Sequence, residues 1–188
     1  MSNGNPRPIL LCGPSGSGKT SLGEFLKCRG CLHLDADLQP PNNGYELLGI
    51  KPLFESFVNG RNPYPLAQEL ERRRQAWMAT RVIVTLPSFA FPVQAIEPAD
   101  GIMLFRFLDG PGWACKRSFL NREMNRDSSQ NPAWVEAHWD RHNREIVAAL
   151  STPAYAAYKI EALNSDGAYL PRELVAQRLL ELSEPMGP

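Results

Sequence analysis

Residues 13 to 20 read Gly-Pro-Ser-Gly-Ser-Gly-Lys-Thr and fit the spacing G-x-x-x-x-G-K-[ST]. Their types suit one task, the holding of a phosphate chain. Such a chain carries several negative charges and needs many donors at short range. Gly13, Gly16 and Gly18 let the backbone turn N–H groups inward with no Cβ in the way. Pro14, Ser15 and Ser17 fill the loop between them, and Ser21 follows in the first helical turn. Lys19 brings a mobile cation to the terminal phosphates, and the Thr20 hydroxyl is an oxygen ligand suited to Mg²⁺. A second group is Asp35-Ala36-Asp37. On an extended chain, residues two apart leave on the same side. One carboxylate then serves Mg²⁺ while the other accepts a proton from an acceptor hydroxyl. Phosphoryl transfer asks for both tasks and for little else besides positioning.

Both groups need a frame, and the pattern around them supplies one. Ile9, Leu10 and Leu11 read as a buried strand before the glycines, and Leu22, Phe25 and Leu26 recur at helical spacing after them. The helix starting near Lys19 turns its positive dipole end to the phosphates. Cys31 to Leu34 reads as a second strand, which sets Asp35 and Asp37 at its carboxyl end, where open parallel sheets bind ligands. A short helix is expected from Leu53 to Val58. A longer one is expected from Pro65 to Thr80, with Leu66, Leu70, Trp77 and Met78 as its buried stripe. Its run Glu69, Glu71 and Arg72 to Arg74 reads as a solvated face with paired charges. Strands follow at Val82 to Leu86, Ile102 to Phe107 and Tyr158 to Ala162. Between the last two, one helix begins at Asp109-Gly110-Pro111 and carries Lys116, Arg117, Arg122 and Arg126. After a polar break at 127–131, Pro132 opens another, striped by Val135, Trp139, Ile146 and Leu150. Leu174, Val175, Leu179 and Leu182 stripe a final helix. Alternating strands and helices predict an α/β chain: a three-layer P-loop NTPase fold with a five-stranded parallel sheet, flanking helices and a lid. At 188 residues one domain is expected, with the lid at 116–131 and the acceptor-binding region at 38–64.

Composition narrows the function classes. Net charge is zero, so nothing pulls the chain as a whole toward nucleic acid or an anionic membrane. No apolar run approaches the length of a membrane span, and Met1 to Pro8 lacks a signal-peptide core, so a cytoplasmic protein is expected. Cys28-Arg-Gly-Cys31 lacks two further ligands at zinc spacing, and Cys12 and Cys115 read as small core residues. His138 and His142 stand four apart but lack the glutamate of H-E-x-x-H, and read as a partly buried polar pair. The third strand, Arg81-Val-Ile-Val-Thr85-Leu-Pro-Ser88, places Thr85 or Ser88 where a motor ATPase keeps a carboxylate. No Asn-Lys-x-Asp motif for guanine is present.

These residues carry a resemblance. The glycine loop, the D-x-D and the basic helix after strand four resemble the P-loop small-molecule kinases: shikimate, gluconate and adenylylsulfate kinases and, more distantly, nucleoside and nucleotide kinases. The resemblance implies that Asp35 serves Mg²⁺ and that Asp37 meets the acceptor hydroxyl. It further implies that Arg122 and Arg126 face the phosphates from a lid, and that the segment from Ile160 to Asp166 borders adenine. The chain departs from two members. Leu38-Gln39-Pro40-Pro41 stands where gluconate kinases have a His, and Leu86-Pro87-Ser88 replaces the Gly-Gly-Gly of shikimate kinases. The acceptor is therefore open, and Arg61 is an anion-contact candidate. The expected activity is ATP- and Mg²⁺-dependent phosphorylation of a hydroxyl on a small metabolite, nucleoside or nucleotide. The rivals are a kinase acting on a modified nucleotide within DNA or RNA and a non-kinase switch or assembly ATPase. No membrane partner is expected, and a nucleic-acid partner is not favoured.

Overall fold

Strand β1 (Ile9–Cys12) is buried at all four positions, and its side chains divide between two cores. Leu10 and Cys12 join one cluster, and Ile9 and Leu11 join the other. A strand buried on both faces requires cover on both, which parallel sheets obtain from crossover helices. The computed structural model describes residues 6–36, 50–60, 62–87 and 101–183. There β1 is flanked by β3 (Val82–Thr85) and β4 (Leu104–Asp109), with β2 (Leu32–Asp35) beyond β3 and β5 (Lys159–Glu161) beyond β4. Every pairing is parallel, in the order β2-β3-β1-β4-β5. The chain after β1 leaves to one side and later returns to the other. This makes the carboxyl end of β1 a topological switch point, and the glycine loop lies there. The sheet, its covering layers and that loop make the three-layer P-loop α/β fold expected from the sequence.

Helices α1 (Lys19–Lys27), α2 (Lys51–Gly60), α3 (Tyr64–Ala76), α4 (Gly112–Arg126), α5 (Pro132–Leu150) and α6 (Arg172–Glu181) surround the sheet. Leu22 and Leu26 of α1 pack with Ile9, Leu11 and Leu179 of α6, while Leu66 and Leu70 of α3 pack with Leu10, Val82 and Val84. Helix α5 serves both layers. Val135 and Trp139 belong to the α1 cluster, whereas Ile146 and Leu150 belong to the α3 cluster. The helix thus passes from one layer to the other, and its middle runs by the glycine loop.

Several boundaries differ from the sequence reading. Helix α3 stops at Ala76 rather than Thr80, because Met78 turns left-handed at φ 50° to lead the chain into β3. Trp77 and Met78 are therefore exposed, at 59% and 91%, and Ala79 is buried in their place. Arg74 closes that turn by donating from Nη1 to the Ala79 carbonyl at 2.9 Å. Strand β4 lies two residues later than expected and ends at Asp109, so the next helix begins at Gly112. In α6 the buried positions are Val175, Ala176 and Leu179, while Leu174 and Leu182 face outward. Pro132 does open α5, and the Asn131 side chain caps it by accepting the Ala133 N–H at 3.0 Å.

Candidate active site

The loop after β1 is shaped by glycines in conformations other residues rarely adopt. Gly16 has φ 90°, and a Cβ there would sit 2.1 Å from the Cys115 carbonyl oxygen of α4. Gly18 is the left-handed N-cap of α1, which has no side-chain cap and no acidic residue in its first turn. The first-turn N–H groups and the positive dipole end are thus open to an anion. Ser17 Oγ is fully buried and has no hydrogen-bond partner among the described residues. A hydroxyl left so costs about 1–3 kcal/mol, a cost that a bound phosphate oxygen would relieve.

Lys19 is 9% exposed, and its Nζ donates to the carbonyls of Gly13 at 2.8 Å and Pro14 at 3.1 Å. The ammonium is folded over the loop. Thr20 Oγ1 donates to Asp35 Oδ2 at 2.7 Å. Asp35 is buried at the end of β2, opposite Thr85 of β3. The expected metal pair is thus brought together from two elements. Its donors are hard oxygens, a hydroxyl beside a carboxylate, which suits Mg²⁺. Asp37, Arg61 and Ser88 lie outside the described residues.

Thr85 is engaged by a side chain of β2. Its Oγ1 bonds His33 Nε2 at 3.1 Å, and His33 Nδ1 meets Glu24 Oε1 at 2.7 Å. The buried imidazole fits only because position 23 is glycine, where a Cβ would lie 2.2 Å from it. Two thiols flank the site as packing. Burial pushes Cys12 up to about 12 and Cys115 up to about 11, each against the opposing pull of Lys19. Neither is a thiolate at neutral pH. Cys28 and Cys31 are free thiols, and no group of three or more metal-ligating side chains occurs among the described residues.

Three side chains that sequence reasoning missed hold the loop from outside. Asn143 Oδ1 accepts the Ser15 N–H at 2.7 Å, and the Trp139 indole N–H donates to the Ser15 carbonyl at 2.9 Å. The Tyr169 hydroxyl donates to the Gly16 carbonyl and meets Ser118 Oγ, at 2.5 and 2.9 Å. A signal for Asn143 was present. It stands four after Trp139 and three before Ile146, a polar residue in a stripe that is otherwise apolar.

In the expected lid, Arg122 and Arg126 both turn to Glu123, at 2.8 and 4.0 Å. Lys116 pairs with Glu136 at 2.7 Å and Asp140 at 2.9 Å on α5. Arg117 donates to the Gly167 carbonyl at 3.3 Å and lies over the Trp113 ring. His138 stacks on Trp134 and meets the His142 ring at a tilt along α5, and burial first, then His142, pulls the His138 pKa down. Beside the loop a cavity of about 290 Å³ is lined by Ser17, Gly18, Ser21, Tyr169, Leu170 and Arg172.

Comparison with known proteins finds likeness among solved structures alone. No family model and no curated sequence matches the chain. Among solved structures, it is similar to a sulfotransferase domain from the curacin biosynthetic pathway, at 15% identity and a TM-score of 0.51, over 97% of this chain and 76% of that one. It is also similar to a gluconokinase from Sinorhizobium meliloti 1021, at 19% identity and a TM-score of 0.46, over 97% and 96% of the two chains. A shikimate kinase from Bacteroides thetaiotaomicron aligns at 19% identity and a TM-score of 0.49, over 95% and 99%. At such identities the likeness concerns the fold.

Proposed function

We propose that the chain is an ATP- and Mg²⁺-dependent kinase that transfers the γ-phosphoryl group to a hydroxyl of a small metabolite, nucleoside or nucleotide. The observation that carries this reading is the Thr20–Asp35 contact of 2.7 Å beside the buried Lys19. A loop that only binds phosphate needs no carboxylate brought from another strand of the sheet. A phosphoryl-transfer site needs one to hold its metal.

The roles follow from placement. Backbone N–H groups of Gly16, Gly18 and the first turn of α1 hold the phosphates, while the Ser15 N–H stays on Asn143. Lys19 exchanges its two loop carbonyls for the terminal phosphates. Thr20 and Asp35 are the residues that would hold Mg²⁺, which when bound neutralises charge on the transferring group. Asp37 is the base toward the acceptor hydroxyl, and Arg61 contacts an anionic part of the acceptor. The cavity lined by Ala162, Tyr169 and Leu170 receives the base of the nucleotide, Ala162 belonging to the 160–166 segment that the resemblance sets beside adenine. Arg122 and Arg126 leave Glu123 to meet the phosphates as the 116–131 region closes, excluding water that would compete with the acceptor.

The testing experiment measures ADP release from ATP and Mg²⁺ over a panel of hydroxylated metabolites, nucleosides and nucleotides. The expected result is release above the acceptor-free rate with one chemical class, lost in Lys19→Ala. Release that no acceptor raises, but that a protein partner stimulates, overturns the kinase reading in favour of a switch ATPase.

A further inference from the structure

The backbone of Ser15 is held by a helix more than a hundred residues away. Its N–H goes to Asn143 and its carbonyl to the Trp139 indole. Both side chains are buried, at 1% and 6% exposure, and the Asn143 amide is used at both ends, since Nδ2 donates to the Trp139 carbonyl at 2.8 Å. A buried amide in mid-helix has no propensity rationale, and an apolar residue would pack there without the desolvation cost. What the Asn–Trp pair supplies is direction. In a trans peptide the carbonyl and the following N–H point opposite ways. Trp139 draws the Ser15 carbonyl toward α5, so the Gly16 N–H is turned away from α5. The neighbouring Gly16 carbonyl is drawn off by Tyr169. Glycine at φ 90° leaves this peptide little intrinsic preference of its own.

We propose that Trp139 and Asn143 are positioning residues that fix the Ser15–Gly16 peptide so that the Gly16 N–H faces the bound phosphate chain, tying anion affinity of the loop to the seating of α5. The inference rests on the reading of the loop as a phosphate site. It assigns no contact between α5 and the nucleotide. Trp139→Phe keeps an aromatic ring in the core at this position but removes the indole N–H that donates to the Ser15 carbonyl.

The experiment uses inorganic tripolyphosphate, which probes the loop without base, acceptor or turnover. In ¹⁵N-labelled wild-type chain the Gly16 amide resonance shifts on tripolyphosphate addition, and the Trp139 indole N–H stays protected from exchange in both states. In Trp139→Phe the affinity falls about tenfold, the worth of one ordered hydrogen bond, and the Gly16 shift is reduced while the melting transition stays cooperative. Unchanged affinity and an unchanged Gly16 shift in Trp139→Phe overturn the proposal and leave the phosphate-site reading standing. Rapid exchange of the wild-type indole N–H with tripolyphosphate bound also overturns it, and needs no variant to fold. Failure of the wild-type chain to bind tripolyphosphate overturns the phosphate-site reading and this inference with it.

Discussion

The loop residues and the α4 arginines are both basic or polar groups assigned to one reaction, yet they sit in opposite physical conditions. Lys19 and Asp35 are buried, with Lys19 bonded to carbonyls of its own loop and Asp35 to Thr20. The Arg122 and Arg126 side chains are 61% and 78% exposed and share Glu123. Lys19 and Asp35 are held by short hydrogen bonds in a buried setting, so the loop is ordered before any ligand arrives. An exposed ion pair is worth little and is given up cheaply. The difference separates parts that are pre-set from parts that are free to move.

The strongest way to break this comparison is Lys19→Ala. Loss of a pre-set cation on the transferring group is expected to lower turnover by about 10²–10³-fold, the scale seen when a preorganised donor is removed. The melting temperature should hardly change, because Nζ bonds loop carbonyls rather than the core. ADP release and a thermal melt on the same sample check both halves. A full catalytic rate would end the assignment of the loop.

Next comes the metal pair. Asp35→Asn keeps the shape of the side chain and its bond from Thr20, but removes the charge. The Mg²⁺ concentration for half-maximal rate should rise about 10–100-fold, as when a metal site loses one of its partners. Asp37→Asn should instead lower the rate with little change in ATP affinity. Magnesium titrations of the two variants distinguish them, and identical behaviour would refute the division of labour between the carboxylates.

Arg122→Ala and Arg126→Ala should do less. Each is expected to reduce phosphoryl transfer by about tenfold while nucleotide affinity moves less, as befits contacts formed only after closure. Hydrogen exchange over 116–131, with and without a non-hydrolysable ATP analogue, should show added protection when nucleotide is bound. Equal protection in both states would leave these arginines as surface ion pairs with Glu123.

The same contrast explains what was legible in the sequence. The glycine loop declares itself because its conformation is enforced by adjacent residues: three glycines, then Lys19 and Thr20 at a helix start. Asp35 was readable because strand ends in a parallel sheet face the ligand. The two-sided burial of β1 followed from an apolar run beside that loop. Trp139, Asn143 and Tyr169 were not found, because their partners lie 124, 128 and 153 residues away in the chain. Periodicity marked Trp139 as core, which it is, but says nothing of where an indole N–H points. Trp77 and Met78 were misplaced for a related reason. Helical spacing assumes that the helix continues, and the left-handed turn at Met78 is a backbone choice that no apolar pattern reveals.

The smallest expected effect calibrates how cheaply the α4 arginines are released. Helix α3 carries the same arrangement, one glutamate between two arginines, outside the loop. Glu69 accepts from Arg72 at 2.7 Å through both Nε and Nη2, and from Arg73 Nε at 2.7 Å. Hydrogen bonds from Arg72 above all, with Arg73 adding to them, lower the Glu69 pKa from 4.5 to about 2. A carboxyl depressed on folding adds stability above its unfolded pKa, and that stability fades as pH falls through the folded value. Wild type should therefore melt above Glu69→Gln by a constant margin at pH 6 and higher, by less below about pH 4.5, by a small remainder near pH 2 and by nothing well below it. Solvent screens the pair, because the Arg72 side chain is 66% exposed. The margin should be no more than about 2 °C for a chain of this length. Calorimetric melts of both proteins across that range measure it. A margin of this size means that even a half-buried Arg–Glu–Arg group in this chain can be opened at little cost, as closure of Arg122 and Arg126 over phosphates requires. A margin several times larger would mean that Glu123 restrains its two arginines, and that breaking it apart, by Glu123→Gln, ought to speed closure rather than leave it unchanged.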